Sequence, residues 1–425
     1  MAVIIPFRAH AHGLIRRLSG KAWSCTTQPV LNNQKIRRKV DRFSTKSSNS
    51  NTIQPLDSRG FSMAESEKAA EILEKPHLTE EQAGQLVERL YGLKVKSLKP
   101  LDSYDDLNFY VKVDGPVPWL HGYTLKVMNG TDSKNKDLIE AQNEMMTFLA
   151  DRGFPVPRIV PNLQGRDMSL EQLLKKDNGS YSHNIVRLLT YLPGTTYHNV
   201  SVTHHLAYEA GAFLARIHEA LRDFSHPALH RPEFVWSLKC LPSLENYLHC
   251  LKENHHKEIN REIIQAFREK VLPCMDDLPQ GAMHGDFNDL NVLVEEDPVT
   301  PGEYRVCGLL DYGDAIVNPY VFDLAIALMY FMSVVKDPIT FGGHLVAGFE
   351  SVRALTSAEW DVLYYCVVAR ASQSYVLGHY TASIHPQNTE YLMVTAGSVW
   401  KFIDMWWGTP KEEIYQQWRD IQKSI

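Results

Sequence analysis

The 425-residue chain carries 44 Lys and Arg against 50 Asp and Glu, a formal net charge of −6, and 44% of its residues are hydrophobic. Such a chain buries a substantial core in one large or two medium domains, and no apolar run reaches the length that spans a bilayer. Residues 1–62 hold eleven Lys and Arg and two acidic residues, which leaves 33 basic against 48 acidic, or −15, in the remainder. An acidic body does not suit a nucleic-acid binder; it suits a cationic small molecule, or a solvated acidic surface.

In chain order, residues 1–62 set Arg8, Arg16, Arg17, Arg37, Arg38 and Arg42 among Ser, Asn and Thr. The composition reads as a disordered basic extension, as a mitochondrial transit peptide, or as a stretch bypassed by a start at Met63. An import signal would place the protein in the mitochondrial matrix. Six cysteines, at 25, 240, 250, 274, 307 and 366, form no C-x-x-C pair and no metal spacing.

Thr79-Glu-Glu-Gln82 predicts a capped helix that runs through Leu86, Val87 and Leu90 and stops at Gly92. Strands follow at Leu93–Leu101, Phe109–Val113 and Tyr123–Met128, with a turn at Pro116 and Pro118 between the last two. Asp137–Arg152 has helical spacing, with Leu138, Met145 and Leu149 available for burial. Val186–Thr190 is a further strand, ended by Pro193-Gly194. Beyond it the pattern is mostly helical: 203–221, 241–253, 256–271, 320–335, 357–380 and 388–406. A boundary between two lobes falls at Leu192–Thr195, giving 76–193 and 194–425.

The chemistry concentrates in His284-Gly285-Asp286-Phe-Asn-Asp-Leu-Asn291, a short hairpin, and Leu310-Asp311-Tyr312-Gly313-Asp314. Phosphoryl transfer requires a carboxylate to take the acceptor hydroxyl's proton and Mg²⁺ held by oxygen ligands against nucleotide phosphates. Asp286 fits the first role; Asn291 and Asp311, at the end of an apolar strand (Tyr304–Leu310), fit the second. A His-Gly-Asp turn alone would serve equally as a helix cap. Its conjunction with Asn291 and a strand-terminal Asp points to a phosphotransferase.

HGDxxxxN followed by a strand and DYGD resembles the aminoglycoside phosphotransferase family over roughly residues 76–410. That resemblance implies an α+β, two-lobed protein-kinase-like fold, with a small antiparallel sheet lobe and a larger helical lobe. Gly285 and Tyr312-Gly313-Asp314 stand where a protein kinase would read His-Arg-Asp and Asp-Phe-Gly, which favours a small-molecule acceptor. Within the family, SYDDLNFYV (103–111), LIEAQN (138–143), VRLLTYLPG (186–194) and GGHLVAGFES (342–351) are similar to the hydroxylysine kinases. This similarity implies an amino-acid acceptor and GTP as donor; the residues themselves leave ATP open.

The resemblance assigns Lys126, on the third strand, to the donor phosphates. The helix position that would carry its glutamate partner falls on Gln142, with Glu140 as the alternative if the helix is rotated. Ser103 and Asn108 flank the turn over the phosphates, where Asp105 and Asp106 would repel them unless turned away. Leu189-Thr190-Tyr191-Leu192 is the expected hinge, which puts Thr190 and Leu192 at the base. His284 is expected to brace the catalytic turn. Asp289 is expected in solvent or beside the substrate. Asp323 is expected to buttress the turn or to cap a helix. Asp314 and Glu350 are candidates for acceptor ammoniums and Arg370 for a carboxylate. Each of these three has an ordinary surface or helix-pairing role as its alternative. Choline, homoserine and aminoglycoside-like acceptors, or a catalytically dead nucleotide-binding scaffold, remain open.

Overall fold

The computed structural model describes residues 76–425 apart from 102, 104, 105, 116, 117, 176–180 and 385–388; the basic stretch 1–62 lies outside the described residues. Helix α1 (Glu80–Tyr91) starts as its sequence dictates. Thr79 accepts from Gln82 N, Gln82 answers to Thr79 N, and Gly92 closes the helix in the left-handed region. Strands β1 (Val95–Leu101), β2 (Leu107–Val113), β3 (Tyr123–Val127) and β6 (Tyr181–Thr190) run antiparallel in that spatial order. Short β4 (Ile159–Val160) and β5 (Ser169–Lys175) both pair with β6.

Alternation decides which face each residue takes. Phe109, Val111, Leu125, Val127, Val186 and Leu188 turn to α1 and form a small core with Leu86 and Val87. Asn108, Lys126 and Arg187, direct partners across three strands, belong to the opposite face.

Helix α2 (Lys136–Asp151) crosses from this sheet to the rest of the molecule. Its Leu138, Ala141, Met145, Met146 and Leu149 belong to the large core and not to the one under α1. That core is built on α3 (His204–Leu221), α4 (Asn254–Lys270), α5 (Tyr320–Met332), α6 (Pro338–Glu350), α7 (Ser357–Ile384), α8 (Thr389–Gly408) and α9 (Lys411–Ser424). Every residue of α5 is buried, so this helix is apolar all round rather than amphipathic. Helices α3 and α6 meet backbone to backbone: a Cβ on Gly348 would fall 1.9 Å from Tyr208 O, which only glycine tolerates.

Three small antiparallel pairings carry the site: β7 (Thr195–Thr196) with β9 (Val292–Glu296), β9 with β10 (Tyr304–Leu309), and β8 (Gln280–Met283) with β11 (Ile316–Pro319). The α+β, two-lobed organisation is the one expected. Three local expectations change. Residues 238–250 form 3₁₀ turns (Leu238–Asn246 and Leu248–Cys250) in place of the helix expected at 241–253, with Leu238, Leu241 and Leu244 buried at the three-residue period of such a turn. Helices α6 and α9 were not expected. The glycines of α6 weaken its local signal, and both helices form by packing on each other, Gly342 and Gly343 lying against Trp418.

Candidate active site

The turn between β8 and β9 presents Asp286. Gly285 has φ +81°, and a Cβ there would lie 2.3 Å from Asp314 O. The close approach of the two loops therefore requires glycine, which explains why this position does not carry the arginine of a protein kinase. His284 Nε2 donates to Leu310 O at 2.9 Å, which leaves Nδ1 to accept from Asp286 N at 3.3 Å. One imidazole tautomer thus ties the two segments together, the bracing role expected of it. Asp323, at the start of α5, accepts from His284 N at 3.2 Å and Gly285 N at 3.0 Å and also bonds His218 Nε2 at 3.1 Å. It buttresses the turn from below.

The Asp286 carboxylate is 9% exposed and fully oriented. Asn288 Nδ2 at 2.7 Å and Asn291 Nδ2 at 3.1 Å donate to Oδ2, and Arg370 Nη2 donates to Oδ1 at 3.2 Å. Asn288 also accepts from Leu290 N and Asn291 N, so it shapes the loop as it holds the acid. Arg370, on α7 and fully buried, bonds Trp236 O and Gln373 as well. Its partner on the catalytic turn is Asp286. Glu350 is not brought to this group: it bonds Leu355 N, Trp360 Nε1 and Gln422 at the far end of α6. Asp314 lies beside the turn, buried, its backbone against Gly285. Asp289 is buried too, against the expectation of solvent, and holds His198 Nδ1 at 2.8 Å. That bond raises the His198 pKa.

Asn291 spends its amide nitrogen on Asp286, which leaves the amide oxygen as the atom it can offer a cation. Asp311, exposed, follows β10 at φ +55°, a left-handed conformation that costs a non-glycine residue about 1–3 kcal/mol and is held here by the surrounding bonds. Its Oδ1 accepts from Gly313 N at 3.1 Å. Leu310 N donates to Asn291 O at 2.8 Å, fixing the two candidate ligands in one register. One carboxylate and one amide oxygen are hard donors that suit Mg²⁺, which takes its remaining ligands from phosphates and water.

On the sheet side, Lys126 Nζ pairs with Asp106 Oδ2 at 2.9 Å and not with Gln142. Asp106 has turned inward and is fixed by Asn129, whose backbone N donates at 2.9 Å and side chain at 3.3 Å. Burial alone would lower the Lys126 pKa, but the carboxylates of Asp106 and Asp311 outweigh it and hold the ammonium above its ordinary value. Gln142 instead accepts from Arg187 Nη2 at 3.2 Å and donates to Gly313 O at 3.4 Å. Asn108 is the β2 partner of Lys126, and Ser103 is half-buried in the preceding turn. Thr190 uses its hydroxyl to accept from Arg158 N at 2.8 Å, while Leu192 packs against Gly308. The hinge is pinned on both edges, by Tyr191 N to Gly122 O and by Trp119 Nε1 to Tyr191 O.

Arg187 and Asn288 escaped the sequence reading, and Asp106 entered it only as a repeller of phosphate unless turned away. Arg187 did leave a signal, as the one charge inside the apolar run Ile185–Leu189.

A kinase-like sheet lobe, a helical lobe and this loop pair define a phosphotransferase that acts on hydroxyl groups. The pattern of the phosphotransferase enzyme family matches residues 97–360, and the chain belongs to that family. It is 39% identical to hydroxylysine kinase of Bos taurus over 84% of this chain and 96% of that protein, and 38% identical to that of Mus musculus over 82% and 95%. Homoserine kinase of Granulibacter bethesdensis is 29% identical over 51% of this chain and 61% of its own length. Among solved structures, a microcompartment-associated aminopropanol kinase superposes with a TM-score of 0.60 at 19% identity, covering 76% of this chain and 95% of that one. Amicoumacin kinase gives 0.56 at 16% identity, covering 79% and 95%. These two likenesses bear on the fold. The protein is a small-molecule kinase of the hydroxylysine-kinase type.

Proposed function

We propose that the chain transfers the γ-phosphate of GTP to the hydroxyl of 5-hydroxy-L-lysine. Residues 76–193 bind the nucleotide, and 194–425 carry catalysis and the acceptor. The observation that carries the reading is the oriented Asp286 carboxylate, set between Asn291 and Arg370 in a chain this similar to hydroxylysine kinases. In this reading Asp286 aligns the acceptor hydroxyl and takes its proton as the P–O bond forms. Lys126 steadies the donor phosphates, with Ser103 and Asn108 lining their entrance and backbone at Thr190 and Leu192 reading the base. Asn291 and Asp311 would hold Mg²⁺, which, when bound, neutralises charge on the β- and γ-phosphates. Asp314, whose backbone lies against Gly285, is retained as the acid for an acceptor ammonium.

The test is kcat/KM for 5-hydroxylysine, homoserine, choline and an aminoglycoside, each with GTP and with ATP. Choline lacks the carboxylate and homoserine the second amine, and a site built for both groups should disfavour them by ~10²-fold or more. Equal use of choline or homoserine would remove the acceptor claim and leave the kinase intact. Preference for ATP would remove only the donor claim.

A further inference from the structure

Gln142 is 2% exposed and both atoms of its amide are engaged. Oε1 faces the guanidinium of Arg187, a donor, and Nε2 faces the carbonyl of Gly313, an acceptor. Arg187, 3% exposed, gives its other amino group to Asn143 Oδ1 at 2.7 Å, so both its hydrogen-bond partners on α2 are neutral amides. Gly313 N in turn reaches Asp311 Oδ1. A continuous line, Arg187–Gln142–Gly313–Asp311, thus runs from β6 through α2 into the loop after β10. Lys126 is outside it, held by Asp106 and Asn129.

We propose that Gln142 is a positioning residue for the metal-binding loop: through Arg187 and Gly313 it ties the seating of Asp311 to helix α2, while Asp106 holds Lys126 from the sheet side. This rests on Asp311 being a metal ligand.

The residue type follows from the two partners. An uncharged amide accepts at one end of its planar group and donates at the other, which an ionised carboxylate, acceptor at both oxygens, does not. Glutamate would satisfy Arg187 but set an anionic oxygen against the Gly313 carbonyl, which would keep its bond from Arg231 Nη1 at 3.2 Å and lose the one from α2. A carboxylate here, which the Arg187 guanidinium taken alone would favour, should therefore displace the loop.

The experiment uses the full chain and compares it with Gln142→Glu, Arg187→Lys and Asp106→Asn. Mn²⁺ uptake is followed by the loss of the free-ion electron paramagnetic resonance signal in the presence of guanylyl imidodiphosphate. Binding of the same nucleotide without metal is measured in parallel. Gln142→Glu should weaken Mn²⁺ binding about tenfold, the scale expected when a group behind a ligand is changed, and leave metal-free nucleotide binding within about twofold. Arg187→Lys keeps the buried charge but loses the planar fork, and should move Mn²⁺ binding in the same direction by less, so the outcome does not hang on one variant folding. Asp106→Asn should do the opposite, weakening the nucleotide and sparing the metal. Mn²⁺ binding by Gln142→Glu equal to that of the unsubstituted chain overturns the proposal alone, as does parallel weakening of metal and nucleotide. No uptake by the unsubstituted chain overturns the metal-site reading and this inference with it.

Discussion

Asp286 receives three side-chain donors, from Asn288, Asn291 and Arg370, while Gly285 lets the neighbouring loop close against the turn. Asp286→Asn preserves the shape and removes the proton acceptor. Turnover should fall by ~10²–10⁴-fold, with nucleotide binding retained in a direct titration; near-normal turnover would exclude Asp286 as the base. Asn291→Ala removes the proposed neutral oxygen ligand and one donor to Asp286 together. It should raise the Mg²⁺ concentration needed for half-maximal rate and also lower the rate at saturating Mg²⁺, since the acid is then less well oriented. An unchanged Mg²⁺ titration would place the metal elsewhere. At this scale the sequence was most legible where function and fold demand the same short spacing: Asp286, Asn291 and Asp311 sit within one loop pair and were readable as a set. Arg370, 84 residues beyond Asp286, could be noticed as a buried-helix cation but not assigned. Its partner is decided by how α7 packs.

Helix α5 shows how an element serves the site without touching its chemistry. Asp323 is wholly buried and is engaged by two backbone amides of the catalytic turn and by His218. Asp323→Ala would leave those buried donors unmet, at about 1–3 kcal/mol each, so stability should drop by about 3 kcal/mol or more. The check is the midpoint of chemical unfolding read beside kcat in the surviving folded fraction. A midpoint within experimental scatter of the parent would show that the turn holds itself. Elements with a strong local signal, such as α1 with its capping box or β3 with its alternation, were legible. Helices α6 and α9 were not, because glycine-rich and strongly polar segments become helical here only through mutual packing around Trp418. Likewise Asp106 looked like a repeller of phosphate. Its inward turn depends on Asn129, a contact between distant turns that no local pattern encodes.

At the scale of the whole molecule, the two cores divide the site unevenly. The small one joins α1 to β1, β2, β3 and β6 and carries Lys126. The large one takes in α2, through Met145, Met146 and Leu149, along with the helices that support Asp286 and Arg370. Helix α2 also meets the helical lobe through Phe148 and Phe224, 5.1 Å apart. The part free to adjust to a nucleotide is therefore α1 with β1, β2 and β3, while β6 is tied to α2 through Arg187 and α2 stays with the proposed metal-binding loop. Local opening is easiest where buried apolar contacts are fewest, and a ligand protects the segments it holds closed. Hydrogen–deuterium exchange should show β1, β2 and β3 exchanging faster than α2 and α3 in the absence of nucleotide. Adding Mg²⁺ and guanylyl imidodiphosphate should slow exchange in residues 95–113 and 123–127 and leave 136–151 nearly unchanged. Protection appearing in α2 to the same extent as in β3 would mean that the helix moves with the sheet, and the division of the site between two cores would have to be abandoned.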